Sequence, residues 1–494
     1  MSNKYPYQIL PFKHVRFNDH ELLLVNEAGD FYFISIDDFD KFIGYGLPKK
    51  NDVFLDLKSN HFLIDTNIAE VIDLLSTKYR TRKRFLNQFT SLHMMVITYR
   101  CNHKCRYCQV SSEDSGSYRW DMSPETARRI VDYIFCSPSD EIKIEFQGGE
   151  PLLNWETVKE TIEYAEQKNK KSRKALEFVV STNLTLIDRN KLDYLKFHNV
   201  YISTSLDGPK SIHDKNRLLR TGGSSYDLFI KKLELTRNIL GPDKVSALMT
   251  TTKDNLYRIT DVVDEYIKLG FDGVFFRALN PYGLAAKNES LHYPIEEFVK
   301  SFKEGLKYII RLNLKGIRFV EYYSTLLLSR ILTHFPTGFV DLQSPSGAGI
   351  CGVIYDYNGD VYPSDEARML AKMGDKRFLM GNVFKDTYYE IFHGKVMTEI
   401  VEKSCVETMP GCATCAFQIY CGADPIRNYL ETKDIVGHRP TSDFCEKNKE
   451  IIKFLFEIIK DNDEDVQDVL WSWITKRDLK EIRGESFSRY SNQY

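Results

Sequence analysis

The chain has 494 residues and a formal net charge of −2 at pH 7, too long for one ordinary core and suited to two or three domains. Its balance of 67 basic and 69 acidic residues argues against a nucleic-acid partner or an acidic membrane surface. The opening MSNKYPYQILPFKH lacks the apolar core of a signal peptide, and no apolar run is long enough to span a bilayer. A reducing cytoplasm is the expected setting, where ten cysteines serve better as metal ligands than as disulfides.

Residues 1–88 read as a small α+β domain. Two apolar or alternating runs flank Glu27-Ala28-Gly29-Asp30, the pattern of a β-hairpin with a Gly-containing turn. IDDFDKFIGYG reads as a short helix ending at Gly44 or Gly46, and DVFLDLKSNHFLI as helix, turn and strand. The charged segment TKYRTRKRFLNQFTS leads into the next unit. A hairpin with helices ahead of a larger core suits a peptide-docking module or a plain N-terminal cap.

Across residues 89–315 the pattern becomes regular. Apolar, β-rich runs at 92–98, 142–147, 177–182, 200–206, 245–250 and 272–278 alternate with amphipathic stretches at 124–135, 154–167, 188–197, 226–240 and 255–269. Ile130, Val131 and Ile134, for example, share one helical face. Such alternation predicts a parallel sheet with right-handed crossovers. Six units are too few for a closed eight-fold barrel, so the expected fold is α/β, a partial (β/α)6 barrel. Its active site belongs at the carboxyl ends of the strands.

The first strand ends in Cys101-Asn-His-Lys-Cys105-Arg-Tyr-Cys108. Thiolates at this spacing on a tight loop can hold three irons of a [4Fe–4S] cube. Such clusters ordinarily take four thiolates, so a three-cysteine loop leaves the fourth iron to an outside ligand. A zinc loop, or cysteines that merely line a strand end, is the plainer alternative. The second strand runs into Gln147-Gly148-Gly149-Glu150-Pro151, where glycines admit close backbone approach and Glu150 can pair with an ammonium group; an ordinary turn uses the same residues. The third ends in Ser181-Thr182-Asn183, able to bond a ribose or to cap the next helix. The fourth ends in Ser205-Leu206-Asp207-Gly208-Pro209, with Arg217 downstream as a carboxylate clamp or a surface ion-pair partner. The sixth carries Arg277 and continues into Asn280-Pro281-Tyr282-Gly283.

The cysteine loop, GGEP and SLDGP, in this order over residues 91–283, resemble the radical S-adenosylmethionine (SAM) superfamily. The resemblance implies that the amino and carboxylate groups of SAM chelate the fourth iron, and that the cluster's electron releases a 5′-deoxyadenosyl radical which abstracts hydrogen from a substrate. It also implies that Gly148, Gly149 and Glu150 bind the methionine amino group. Ser205 and Arg217 would face the carboxylate, and Ser181 and Asn183 are the remaining cofactor-binding candidates.

Downstream, Cys412-x2-Cys415-x5-Cys421 followed by Cys445 is a metal-like pattern. It resembles the SPASM extension of peptide-modifying radical SAM enzymes, which usually carries two auxiliary [4Fe–4S] clusters. Two positions depart from that pattern: Ser364 stands five residues after Gly359, and Pro425 four after Cys421, where cysteines are expected. The resemblance places both missing cysteines in the first auxiliary cluster, and Cys412, Cys415, Cys421 and Cys445 in the second. One closed auxiliary cluster is therefore expected in a SPASM-like domain of residues 316–446, with a zinc ion as the alternative. Cys351 is left without its usual partners, and Cys136 and Cys405 are expected to be ordinary buried thiols. Residues 447–494 read as amphipathic helices.

CNHKCRYCQVS, FFRALNPYG, Tyr362-Pro-Ser-Asp365-Glu366-Ala-Arg368 and Cys421-Gly-Ala-Asp424-Pro425 further resemble the His-Xaa-Ser system radical SAM maturases. That likeness implies a ribosomally made precursor peptide as substrate and a partner maturation protein, with an electron donor of flavodoxin or ferredoxin type. It favours leader docking on residues 1–88 by strand addition. The expected reaction is hydrogen abstraction from a C–H site of the peptide, giving a cross-link or an oxidised residue, with the auxiliary cluster taking up the electron. Asp207 and Tyr282 are the candidates for proton transfer. Sulfatase-type oxidation of a Ser or Cys to formylglycine is the alternative enzyme reading. A non-catalytic iron–sulfur or zinc scaffold is the alternative of another class, disfavoured by the open coordination site at Cys101–Cys108.

Overall fold

In a computed structural model that describes residues 5–87 and 89–484, the run at 92–98 is the strand Leu92–Thr98. Parallel to it, in order, lie Glu141–Gly148, Ala175–Ser181, Tyr201–Ser205 and Val245–Leu248. Strand alternation sets the two faces: Ile142, Ile144 and Phe146 are buried in the apolar core, whereas Lys143, Glu145 and Gln147 face the inner side of the curved sheet. Helices Pro124–Ile134, Trp155–Ser172, Arg189–Phe197, Ser225–Leu240 and Ile259–Lys268 return the chain between strands. Their starts are chemically marked: Ser123, Asp188 and Ser224 each accept a backbone N–H of the first helical turn.

The sixth repeat departs from this regularity. Its strand is only Gly273–Val274, paired in parallel with Val320–Glu321 rather than laid against Val245–Leu248. A single backbone bond, Thr251 N–H to Arg277 O at 2.9 Å, ties the fifth and sixth units. Phe276 gives its N–H to the Glu321 carboxylate at 3.1 Å, so a side chain replaces the ladder. At the opposite edge Gly352–Tyr355 adds to Leu92–Thr98 in parallel, and Asp360–Tyr362 and Gly381–Asn382 continue antiparallel. The C-terminal domain thus completes the sheet that the barrel begins.

The N-terminal unit is a three-stranded antiparallel sheet, Phe12–Arg16, Glu21–Asn26 and Phe31–Ser35, followed by helices Ile36–Ile43, Asp52–Ser59 and Ile68–Arg82. The hairpin around Glu27–Asp30 is as the sequence predicts. Gly29 has φ +84°, and a Cβ there would lie 2.4 Å from the Arg82 guanidinium, so only glycine fits. Phe31 and Phe33 stack edge-on against Phe456 at 5.0 and 6.2 Å. They fix the sheet to helix Asp443–Asp461, which carries Cys445 in its first turn and runs past the expected boundary at residue 446. No helix among the described residues is long and apolar enough to cross a membrane. Residues 1–4, Gln88 and 485–494, the outer parts of the expected first and last domains, lie outside the described residues.

Candidate active site

The Cys101–Cys108 loop sits at the carboxyl end of the first strand and is pinned from two sides. Lys104 and Arg106 donate backbone N–H groups to Leu218 O and Asn216 O at 2.8 and 2.9 Å, and Leu284 donates to Cys108 O at 2.9 Å. Gly283, φ +57°, allows that approach, since a Cβ would meet Gln109 O at 2.4 Å and Cys108 O at 2.6 Å. Burial, then the field of Cys105, pushes the Cys101 thiol far above its ordinary range. Cys105 is pushed by burial to about 12. Iron takes such buried thiols as thiolates, supplying the positive charge that stabilises them. Among the described residues no three His, Cys, Asp or Glu side chains converge on one point as around a single metal ion; in a cube each thiolate meets an iron of its own. The donor set fits the cluster.

Glu150 is fully buried within the field of Cys101. It accepts from Thr182 Oγ1 at 2.7 Å, Asn183 N at 2.8 Å and Leu152 N at 3.1 Å, and burial still raises its pKa to about 7. Among the described residues no cation pairs with it. A buried carboxylate in want of a cation, beside the Cys101 thiol, fits the ammonium of an amino-acid ligand. Asn183 also bonds Asn102 of the cysteine loop at 2.9 Å, and Ser181 donates to Glu145 at 2.7 Å on the inner face. Ser205 ends the fourth strand half-buried. Gly148 and Gly149 have a nearer reason for being glycine than a ligand: a Cβ would lie 2.1 Å from Thr98 O or 2.2 Å from Arg100 O.

Of the two proton-transfer candidates, Asp207 is placed under the cysteine loop. Both its oxygens accept from Tyr107 Oη at 2.8 Å, and Arg217 Nε lies 3.3 Å away. Arg217 in turn covers the Tyr107 ring at 5.4 Å and lowers the Cys105 thiol. Asp207 and Arg217 are therefore a buried pair that positions the loop. Tyr282 is fully buried, with its hydroxyl unpartnered and in the field of Asp424, Glu366 and Asp341.

The second cysteine set is also brought together. Burial raises Cys445 to about 11, with Cys421, Cys412 and Cys415 adding to the rise. Arg439, Lys13 and Lys449 lie near enough to oppose it at Cys412 or Cys415. Cys351 has burial alone as the cause of its raised thiol and no other cysteine in its field. Ser364 caps helix Asp365–Lys372 and Pro425 opens helix Pro425–Thr432; at both departures from the cysteine pattern a helix begins. Cys405 is half-buried, but Cys136 is exposed, contrary to expectation, because it lies just past the end of helix Pro124–Ile134.

Between barrel and C-terminal domain lies a cavity of about 370 Å³, walled by Met94, Glu145 and Gln147 from the inner sheet face, Phe275 and Arg277 from the sixth unit, and Phe339, Asp341, Glu366 and Lys447 from beyond it. Arg277 reaches Glu366 at 3.8 Å. Sequence reasoning found the cysteines and strand ends, and met Glu366 only inside a family-like run; it missed Glu145 and Asp341, which are distant in sequence and carry no local spacing.

Residues 95–266 match the radical SAM superfamily. That segment is a radical SAM domain. The cysteine-type anaerobic sulfatase-maturating enzyme of Clostridium perfringens is 24% identical over 366 residues, 72% of this chain and 93% of that enzyme. The antilisterial bacteriocin subtilosin biosynthesis protein AlbA of Bacillus subtilis is 24% identical over 341 residues, 66% of this chain and 65% of AlbA. In fold, native anSMEcpe with bound AdoMet superposes with a TM-score of 0.64 at 20% identity, covering 76% of this chain and all of that one. Streptococcus suis SuiB bound to the precursor peptide SuiA gives 0.53 at 14%, covering 89% and 99%. The chain thus carries a radical SAM domain and is an enzyme whose cofactors are a [4Fe–4S] cluster and SAM; its partial α/β barrel and C-terminal domain are folded like those of the solved maturases. When bound, these cofactors supply a 5′-deoxyadenosyl radical that abstracts hydrogen. Cys101, Cys105 and Cys108 would hold the cluster and Glu150 the SAM ammonium.

Proposed function

We propose that this radical SAM enzyme modifies a ribosomally synthesised precursor peptide, abstracting hydrogen from a C–H site so that a cross-link or an oxidised residue results. The N-terminal unit carries this reading. Strands Phe12–Arg16 and Phe31–Ser35 each pair on one side only within their sheet, the arrangement that accepts a leader as an added strand. The unit abuts the second cysteine set, where Lys13 Nζ donates to Gln418 Oε1 at 2.6 Å. In this reading Cys412, Cys415, Cys421 and Cys445 hold one closed auxiliary cluster that accepts the electron left on the peptide. A flavodoxin or ferredoxin supplies the starting electron, and a partner maturation protein of the His-Xaa-Ser kind completes the system.

Formylglycine formation on a protein Ser or Cys is the second reading, favoured by the near-complete coverage of the sulfatase-maturating relative. Mass spectrometry of a small precursor encoded nearby, co-expressed with the enzyme or its Cys105→Ala variant, separates them. A mass change with wild type and none with Cys105→Ala is expected. No change with wild type, together with aldehyde formation on a sulfatase motif peptide, would overturn the peptide reading.

A further inference from the structure

The cavity wall holds two chemically distinct groups. One is aromatic: Phe275 lies 5.6 Å from Tyr323 and 5.9 Å from Phe339, ring centre to ring centre. The other is a set of carboxylates, Glu145, Asp341, Asp365 and Glu366, with Asp424 close enough to act on Glu366 and to be acted on by Asp341. Only Arg277 and Lys447 bring positive charge to the same lining. Arg277 stands off Glu366 at 3.8 Å, and Lys447 lies over the Tyr323 ring at 5.3 Å. Asp365 is already engaged by Arg368.

Arg427 also opposes this charge at Asp341 and Asp424, yet the carboxylates still outnumber the cations around them. Burial, then Asp341, Asp365 and Asp424, raises Glu366 to about 7, and burial, then Asp341, raises Asp424 to about 6. Burial raises Asp341 and Glu145 as well. One polar group in the wall is also left for a ligand to meet. Gln147 Nε2, in the cavity wall, is buried with no hydrogen-bond partner. A protonated side chain on a long aliphatic stem matches both groups of the wall, since such stems lie along apolar surface while the head seeks charge.

We propose, resting on the peptide reading, that the residue entering this cavity for hydrogen abstraction is a basic one, lysine or arginine. Its stem lies along Phe275, Tyr323 and Phe339, and its cationic head sits among Glu145, Asp341 and Glu366.

The test uses the reconstituted holoenzyme, SAM and the precursor encoded nearby, made with perdeuterated lysine, with perdeuterated arginine, or deuterated throughout. Deuterium is expected in 5′-deoxyadenosine from the lysine- or arginine-labelled peptide. Transfer from the fully labelled peptide but from neither single label would overturn this inference and leave the peptide reading standing. No transfer from any of the three would overturn both. Glu366→Gln is expected to raise the peptide KM about tenfold, the effect of one lost charged contact, with kcat within about twofold. An unchanged KM would remove Glu366 from the binding site.

Discussion

A methyl group at Gly283 would meet the carbonyl oxygens of Gln109 and Cys108 at 2.4 and 2.6 Å, on a backbone held at φ +57°. Gly283→Ala must therefore push the cysteine loop away, at a cost of at least about 1 kcal/mol. It should lower both the melting temperature and the iron bound at that loop; an unchanged iron content would show that the contact does not shape the site. Glu150→Gln removes the one buried carboxylate in the field of Cys101. SAM affinity is expected to fall at least about tenfold, read by equilibrium dialysis, while iron content stays at the wild-type value. At this scale the sequence was legible wherever chemistry is local. Cys101, Cys105 and Cys108 lie within eight positions, and their spacing alone states the donor set. Asp207 was open to a different reading because Tyr107, which donates to both its oxygens, is a hundred positions away, and the pairing with Arg217 ten positions on could not be told from a surface ion pair.

Helix Tyr322–Leu332 begins on a buried acid. Glu321 accepts from Phe276 N at 3.1 Å, Tyr323 N at 3.2 Å and Ser324 N at 2.6 Å, yet burial raises its pKa from 4.5 to about 7. Between these values the folded chain holds a proton that the unfolded chain has lost, so stability falls as pH rises through this window, by up to about 3 kcal/mol. Glu321→Gln keeps an acceptor without the charge. Its denaturant midpoint should fall less than that of wild type between pH 4.5 and 7; parallel curves would contradict the assignment. The five regular strands were legible because their alternation is local and strong. The sixth lies within its predicted run at 272–278, but its short length and its pairing with Val320–Glu321 were not legible, because Phe276 is held by Glu321 from a separate element. The addition of Gly352–Tyr355 to the first strand was hidden likewise, since a parallel pairing across 260 positions leaves no mark on either segment.

The N-terminal and C-terminal units are joined through a buried polar junction. Arg330, buried, donates to Ile419 O at 2.8 Å and Tyr420 O at 2.9 Å, immediately before Cys421. Arg82 donates to Arg330 O at 2.7 Å and to Ala28 O at 2.6 Å, and Tyr420 Oη donates to Gly29 O at 3.0 Å. The hairpin turn of the N-terminal unit and the second cysteine loop are thus braced by the same two arginines. Arg330→Leu is expected to destabilise the chain by about 2–4 kcal/mol and to release the second set's iron while the first loop keeps its own. Equal loss from both sites would contradict this selective brace. The whole-molecule arrangement was the least legible part, because the cavity and the junction each combine residues from segments hundreds of positions apart.

Anaerobic reconstitution with iron and sulfide, followed by iron counting and a SAM cleavage assay under reducing conditions, tests the central claim most directly. The account predicts about eight irons per chain, as for two four-iron clusters, with 5′-deoxyadenosine formed by the wild-type enzyme and none by Cys105→Ala, which keeps about four. Zinc in place of iron, or equal 5′-deoxyadenosine from both proteins, would contradict it.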